Sequence, residues 1–217
     1  VMLWKLGAAA LAAVGLIATT AQSQAPKAQA PKRGGTLNFA VSAEPPNYDC
    51  HANSSFAFIH PVRPHYNTLL KFDAAKYPAI KGDLAESWTV AKDGLTYTFR
   101  LRKGVKFHDG TAFSSEDVKA TYDRLRKPPA GVRSLREATY ADIATIDTPD
   151  PNTIVFKLSK ANASMLANFA SPWDCIYSAA RLKKDPRFPE RNIMGTGPFT
   201  FDEHVAVSHW RGRKFKE

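Results

Sequence analysis

A chain of 217 residues with 44% hydrophobic and 23% charged residues holds enough apolar material for one or two packed domains, which excludes wholesale disorder. Thirty Lys and Arg against 20 Asp and Glu give a formal charge of +10, an excess that steers acidic partners. The excess is scattered in ones and twos, as at Arg100, Arg102, Lys103, Lys106, Lys119, Arg124, Arg126 and Lys127, so a solvated face is expected and no nucleic-acid partner.

The first residues, VMLWKLGAAALAAVGLIATTAQSQA, carry one cation at Lys5, an apolar run from Leu6 to about Ala18, and small residues at Ser23 and Ala25. This pattern predicts a secretory signal peptide over residues 1–25, because the run is shorter than the roughly 20 residues that cross hydrocarbon. A second cut follows AQA at Ala30, and no cysteine nearby points to a lipid anchor. Removal of residues 1–25 takes one lysine and no acid, leaving 30 − 1 = 29 basic against 20 acidic residues, or +9. Residues 26–33, rich in Pro and Lys, read as a flexible leader.

Order is expected from Thr36. TLNFAVS alternates Leu37, Phe39 and Val41 against polar or small neighbours, the period of a strand with one buried side. AEPPNYDCHANSS breaks it. Ala57 to Leu70 is apolar, and Pro61 and Pro64 confine a helix to the later part of it.

SWTVAKDGLTYTFRLRKGVKF gives the strongest pattern. Leu95, Tyr97, Phe99 and Leu101 point one way while Thr96, Thr98, Arg100 and Arg102 point the other, and KDG supplies a hairpin turn. A turn at Asp109-Gly110 follows, and Ser114 with Asp117 three residues on predicts a capped helix start. Val118, Tyr122 and Leu125 share one helical stripe, which Pro128 and Pro129 terminate. Leu135 to Ile146 has apolar residues at mixed spacing and supports neither element. TPDPNT is a turn before a strand with Ile154, Phe156 and Leu158 on one face, and a short helix is expected over Ala163 to Phe169. Pro172 and Pro186 bracket a less regular stretch, and GTGPFTFDEH enters a last strand through a glycine turn.

No motif supports catalysis. GTGPF precedes a strand, whereas a phosphate cradle opens a helix. His108 beside Asp109 sits in a turn with no activated nucleophile identifiable. His51, His60, His65, His108, His204 and His209 show no i, i+4 pair backed by a carboxylate, so no metal and no cofactor is expected. Cys50 and Cys175, far apart in an exported chain, either pair in a disulfide or remain free, and a Cys50–His51 metal site lacks further ligands at suitable spacing. Core is the expected place for Trp88 and Trp210, while Trp173, in the loop-like ASPWDC, is assigned to a ligand cleft. Ser54, Ser55 and Phe56, just past the first strand, form the second candidate wall.

LAESWTVAKDGLTYTFRLRKGVKFHDGTAFSSEDVKATYDRL, residues 84–125, resembles the signature region of extracellular solute-binding protein family 5, the peptide- and nickel-type periplasmic receptors of ABC importers. The resemblance rests on Ala85, Glu86, Trp88, the Asp93-Gly94 turn, YTFRLRKGVKFHDG and the EDV that opens the helix, with GTGPF as a second mark, and it extends from about Gly34 to His209. It implies a mixed α/β (α+β) fold of the type II periplasmic-binding-protein kind. In that scheme residues 34–45 give the first strand of lobe one, 46–174 an inserted domain, and 175–217 a return to lobe one. It also implies a secreted, non-catalytic receptor that closes two lobes around a peptide or similar small solute and hands it to an ABC permease in the inner membrane. Family members continue well beyond this length with an opposing lobe. The resemblance therefore implies a fragment with an exposed apolar edge and weak solute binding on its own. A secreted hydrolase and a basic polyanion-binding protein are the competing readings.

Overall fold

The computed structural model describes residues 34–216, so the signal-peptide and leader readings lie outside the described residues. The described chain divides into a short unit ending at Phe39 and a larger one beginning at Ala40. The strand expected over Thr36–Ser42 does not form. Alternation alone does not hold a strand, and no described strand pairs with this segment.

In the larger unit a 3₁₀ turn at Cys50–Ala52 leads into α1 (Phe56–Val62), a second 3₁₀ turn at Arg63–His65, and a small hairpin of β1 (Leu70–Phe72) and β2 (Ile80–Gly82). Then come β3 (Ala85–Val90), β4 (Thr96–Leu101), α2 (Ser115–Arg126), β5 (Ile143–Asp150) and β6 (Thr153–Leu158). Three short helices follow, α3 (Met165–Phe169), α4 (Ala179–Lys184) and α5 (Phe188–Arg191), before a closing hairpin of β7 (Phe199–Val205) and β8 (His209–Lys214).

The centre is a four-stranded antiparallel sheet in the order β3-β4-β6-β5. Its buried face is the one the alternation marked, with Tyr97, Phe99 and Leu101 of β4 beside Ile154, Phe156 and Leu158 of β6. α2 lays Val118, Tyr122 and Leu125, all fully buried, in the same core. Phe169 of α3 plugs the centre, its ring centroid 4.7 Å from Phe156, 5.2 Å from Phe99 and 5.4 Å from Tyr122. Removing each such side chain from water is worth about 1.5–3 kcal/mol, which makes the alternation a packing requirement. At the β3–β4 turn Gly94 takes a φ of +70°, a left-handed conformation that glycine adopts without strain.

α2 begins in a capping box, with the Ser114 amide donating to Asp117 Oδ2 at 2.8 Å. The other oxygen, Oδ1, accepts the Ala179 amide at 2.8 Å, so one carboxylate caps α2 and fixes the start of α4. The two segments quoted as family marks meet in space. The His108 amide donates to Gly195 O and its Nε2–H to Gly197 O, both at 2.9 Å, while the Gly195 amide donates to His108 Nδ1 at 3.4 Å. A Cβ at Gly195 would stand 2.3 Å from His65 O, and one at Gly197 2.4 Å from the His65 carbonyl carbon. GTGPF is therefore a close crossing of two backbones, with β7 beginning at its end.

Three expectations change. α1 occupies the early half of its segment and includes Pro61, since Ser55 caps it and the proline forfeits only the donor that would reach Ala57. The irregular stretch between Pro172 and Pro186 contains α4. The ambiguous segment before Ile146 resolves into a 3₁₀ turn at Ala138–Tyr140 and the start of β5.

Candidate functional site

An open cleft of about 510 Å³ lies beside α1. Phe56, at the first position of α1, and Trp173, in the loop after α3, give it two aromatic walls with ring centroids 6.3 Å apart. Phe56 is 68% exposed. Ile59, Pro172 and Pro198 extend the apolar lining, and Arg63, Asn67, Lys71 and Asp83 supply its polar groups. A second depression of about 720 Å³ is lined by Glu86, Arg102, Lys103, Lys106 and Phe215 but lacks paired aromatic walls.

Of the residues marked in the sequence, the structure brings Phe56 and Trp173 into this one cleft. Ser55 instead caps α1, its Oγ accepting the Phe58 amide at 3.3 Å, and Ser54 is exposed and outside the lining. Sequence reasoning missed Arg63, Asn67, Lys71 and Asp83. They come together because the Asp83 carboxylate reaches back over 12 to 20 residues. Oδ1 accepts from Lys71 Nζ at 2.7 Å and Asn67 Nδ2 at 3.0 Å, while Oδ2 accepts the Thr68 amide at 3.0 Å and Arg63 Nη2 at 3.3 Å. Burial pushes the Asp83 carboxyl up, but Lys71, the Thr68 amide, Arg63 and Asn67 outweigh it and hold the group below the usual carboxylate range.

The two walls belong to segments more than a hundred residues apart, and buried polar chemistry joins them. Cys50 and Cys175 form a disulfide with Cα atoms 6.0 Å apart, which settles the question the sequence left open. Arg136 reaches both sides: Nη2 donates to Asn53 O at 3.0 Å and Nη1 to His51 O at 3.3 Å, while the guanidinium lies 5.4 Å from the Trp173 ring centroid. Beneath, Arg124 pairs with Asp49, Nη2 to Oδ2 at 2.6 Å and Nη1 to Oδ1 at 3.2 Å, both side chains almost fully buried. Arg124 Nη1 also donates to His51 Nδ1 at 2.8 Å, so His51 carries its proton on Nε2 and gives it to Cys175 O at 3.2 Å. Burial and then Arg124 hold His51 well below the usual imidazole range. Asp174, next to Trp173, is fully buried against Tyr140 and Arg136, and burial pushes its carboxyl up to about 7.

The cleft thus sets an exposed Phe56 and a half-buried Trp173 beside a few converging polar groups. The family model described as bacterial extracellular solute-binding proteins, family 5 Middle, matches residues 79–217. The chain belongs to this solute-binding family. It is 35% identical over 144 residues to the glutathione-binding protein GsiB of Escherichia coli O1:K1, which covers 66% of this chain and 28% of that protein. It is 38% identical over 148 residues to a putative ABC transporter peptide-binding protein of Brucella ovis, covering 65% and 27%. The chain thus spans under a third of the curated relatives it matches. Among solved structures it is similar to AgaA from A. tumefaciens R10 in complex with agropinic acid, with a TM-score of 0.72, 30% identity, and 80% of this chain and 34% of that one covered. Helicobacter pylori DppA in complex with the peptide STSA gives a TM-score of 0.69 and 26% identity, covering 80% and 38%. The fold is the mixed helix-and-sheet type II periplasmic binding protein fold, of which this chain carries part.

Proposed function

We propose that the chain is the N-terminal portion of a periplasmic receptor that binds a peptide- or glutathione-type small solute and delivers it to an ABC permease of the inner membrane, without catalysis. The carrying observation is the aromatic-walled cleft of Phe56 and Trp173 on a family-5 framework. The relatives of known name support the solute class, since one is a glutathione-binding protein and the other a putative peptide-binding protein. In this reading residues 1–25 export the chain, 34–45 and 175–217 belong to lobe one, and 46–174 form the inserted domain. Ser54 and Ser55 flank the cleft at the start of α1, beside Phe56.

An open cleft leaves a solute half exposed, so binding by this chain is weak. Nuclear magnetic resonance titration of the labelled 217-residue chain with reduced glutathione and with di- and tetrapeptides tests it. The expected result is a shift of the Trp173 indole N–H with every probe recovered intact. Release of amino acids from the probes would establish the hydrolase reading instead, and a panel that moves no residue of the cleft would defeat the receptor reading.

A further inference from the structure

Charge in the cleft narrows the solute class. Its lining holds two permanent cations, Arg63 and Lys71, and one acid, Asp83. Asp83 stays ionised, and the four donors described above fill both of its oxygens, so it has little left to offer a ligand. The cations differ. Arg63 is committed to the framework, donating through Nη1 to Tyr66 O and through Nη2 to Thr68 Oγ1 at 3.1 Å as well as to Asp83. Lys71 has a 41% exposed side chain, and its ammonium, with three donors, meets Asp83 alone among the described residues. The cleft therefore carries an excess positive charge centred on Lys71, in the same lining as the Phe56 and Trp173 rings.

We propose, resting on the receptor reading above, that Lys71 selects solutes bearing a free carboxylate, whose apolar or flat portion lies against Phe56 and Trp173. Arg63 holds Asp83 in place so that the ammonium is aimed rather than neutralised, and the remaining Lys71 N–H groups donate to the solute carboxylate. A charge-assisted hydrogen bond of this kind is about twice as strong as a neutral one, and partial exposure of Lys71 reduces that gain through solvent and salt. An advantage of about fivefold for a carboxylate over the matching carboxamide is the consistent magnitude.

The test compares the dipeptide Ala-Phe with its C-terminal amide in magnetic resonance titrations of the 217-residue chain, following the Trp173 indole N–H and the Lys71 amide. The free acid is expected to bind about fivefold more tightly than the amide at low salt, and added salt should shrink the ratio. Lys71→Met, which keeps the apolar stem, should bring the ratio near one, and Lys71→Arg should restore most of it. Equal binding of acid and amide by the unmodified chain overturns the proposal while leaving the receptor reading intact, and this comparison needs no folded variant. A ratio that survives in Lys71→Met also overturns it. If neither probe shifts a cleft residue, the proposal and the receptor reading fall together.

Discussion

The large core between α2 and the central sheet and the smaller region around the Cys50–Cys175 bridge are held by different means. The first is almost entirely apolar, a ring cluster centred on Phe169. The second sets Asp49, His51, Arg124 and Asp174, all buried, among Phe58, Val62 and Tyr177 and closes them with a covalent bond. The first core draws on contacts that any large apolar side chain makes, whereas the second depends on particular partners up to 128 residues apart. A core of the first kind tolerates exchange among hydrophobes, while one of the second fails when a single partner is lost.

The largest effect expected from breaking this contrast lies in the bridge. It spans 125 residues, and cross-linking a loop of that size removes roughly 4–5 kcal/mol of chain entropy from the unfolded state. Urea unfolding of the Cys50→Ala, Cys175→Ala chain should show a loss of this order, and an unchanged midpoint would mean the polar region holds without it. Phe169→Ala should lose about 3–5 kcal/mol by leaving a cavity among five rings, whereas Phe169→Leu should lose under half of that. Arg124→Met strands the buried Asp49 carboxylate and should lose about 3 kcal/mol. Adding Asp49→Leu should recover part of that loss and not all, because the Tyr177 hydroxyl and the His51 amide also give their hydrogen bonds to Asp49.

pH sharpens the contrast further, since the apolar core has no groups that titrate near neutrality. Asp174 has its carboxyl raised from 3.8 to about 7, so the folded chain keeps a proton that the unfolded chain releases. Its contribution is present at low pH and is lost as pH rises from about 4 to about 7. His65 works the other way: burial lowers it from 6.5 to about 4, so its contribution is present above 6.5 and is lost as pH falls towards 4. His51 and His108, also lowered by burial, share that sign. Asp174→Asn removes only the first branch. Its stability relative to the unmodified chain should therefore rise steadily between pH 4.5 and 7 in parallel urea titrations, and a flat difference would show that Asp174 ionises as freely in the fold as out of it.

The same contrast explains what could be read in advance. The β3–β4 hairpin, the α2 stripe and the β6 alternation are local periodicities set by burial on one face, and each stands where the pattern placed it. The segment Thr36–Ser42 had the same alternation and formed no strand, because a ladder needs a partner and periodicity cannot supply one. α1 lay in the opposite half of its segment because the Ser55 cap outweighed Pro61. In the cleft, Phe56 and Trp173 were legible as a phenylalanine and a tryptophan in loop-like surroundings. Arg63, Lys71 and Asp83 were not, since a lone charge in a sequence carries no sign of the partner it will meet.

The smallest effect is expected where the sequence was most explicit, at the α2 cap. Ser114 and Asp117 are three residues apart, and their pairing needs no tertiary structure. Ser114→Ala should lose about 1 kcal/mol, the ordinary value of a helix N-cap. Asp117 carries more, because its second oxygen holds the Ala179 amide, 62 residues on in the chain. Burial raises its carboxyl despite the amide and hydroxyl hydrogen bonds it accepts, so the surroundings are dry enough for a lost acceptor to be felt. Asp117→Ala should therefore lose about twice what Ser114→Ala does, with Asp117→Asn between them because one acceptor oxygen remains. If the two alanine variants lose the same amount, the Ala179 contact contributes nothing and the cap is only the local device its spacing announced. A larger loss for Asp117 would show a local signal recruited to hold distant chain, at the start of α4.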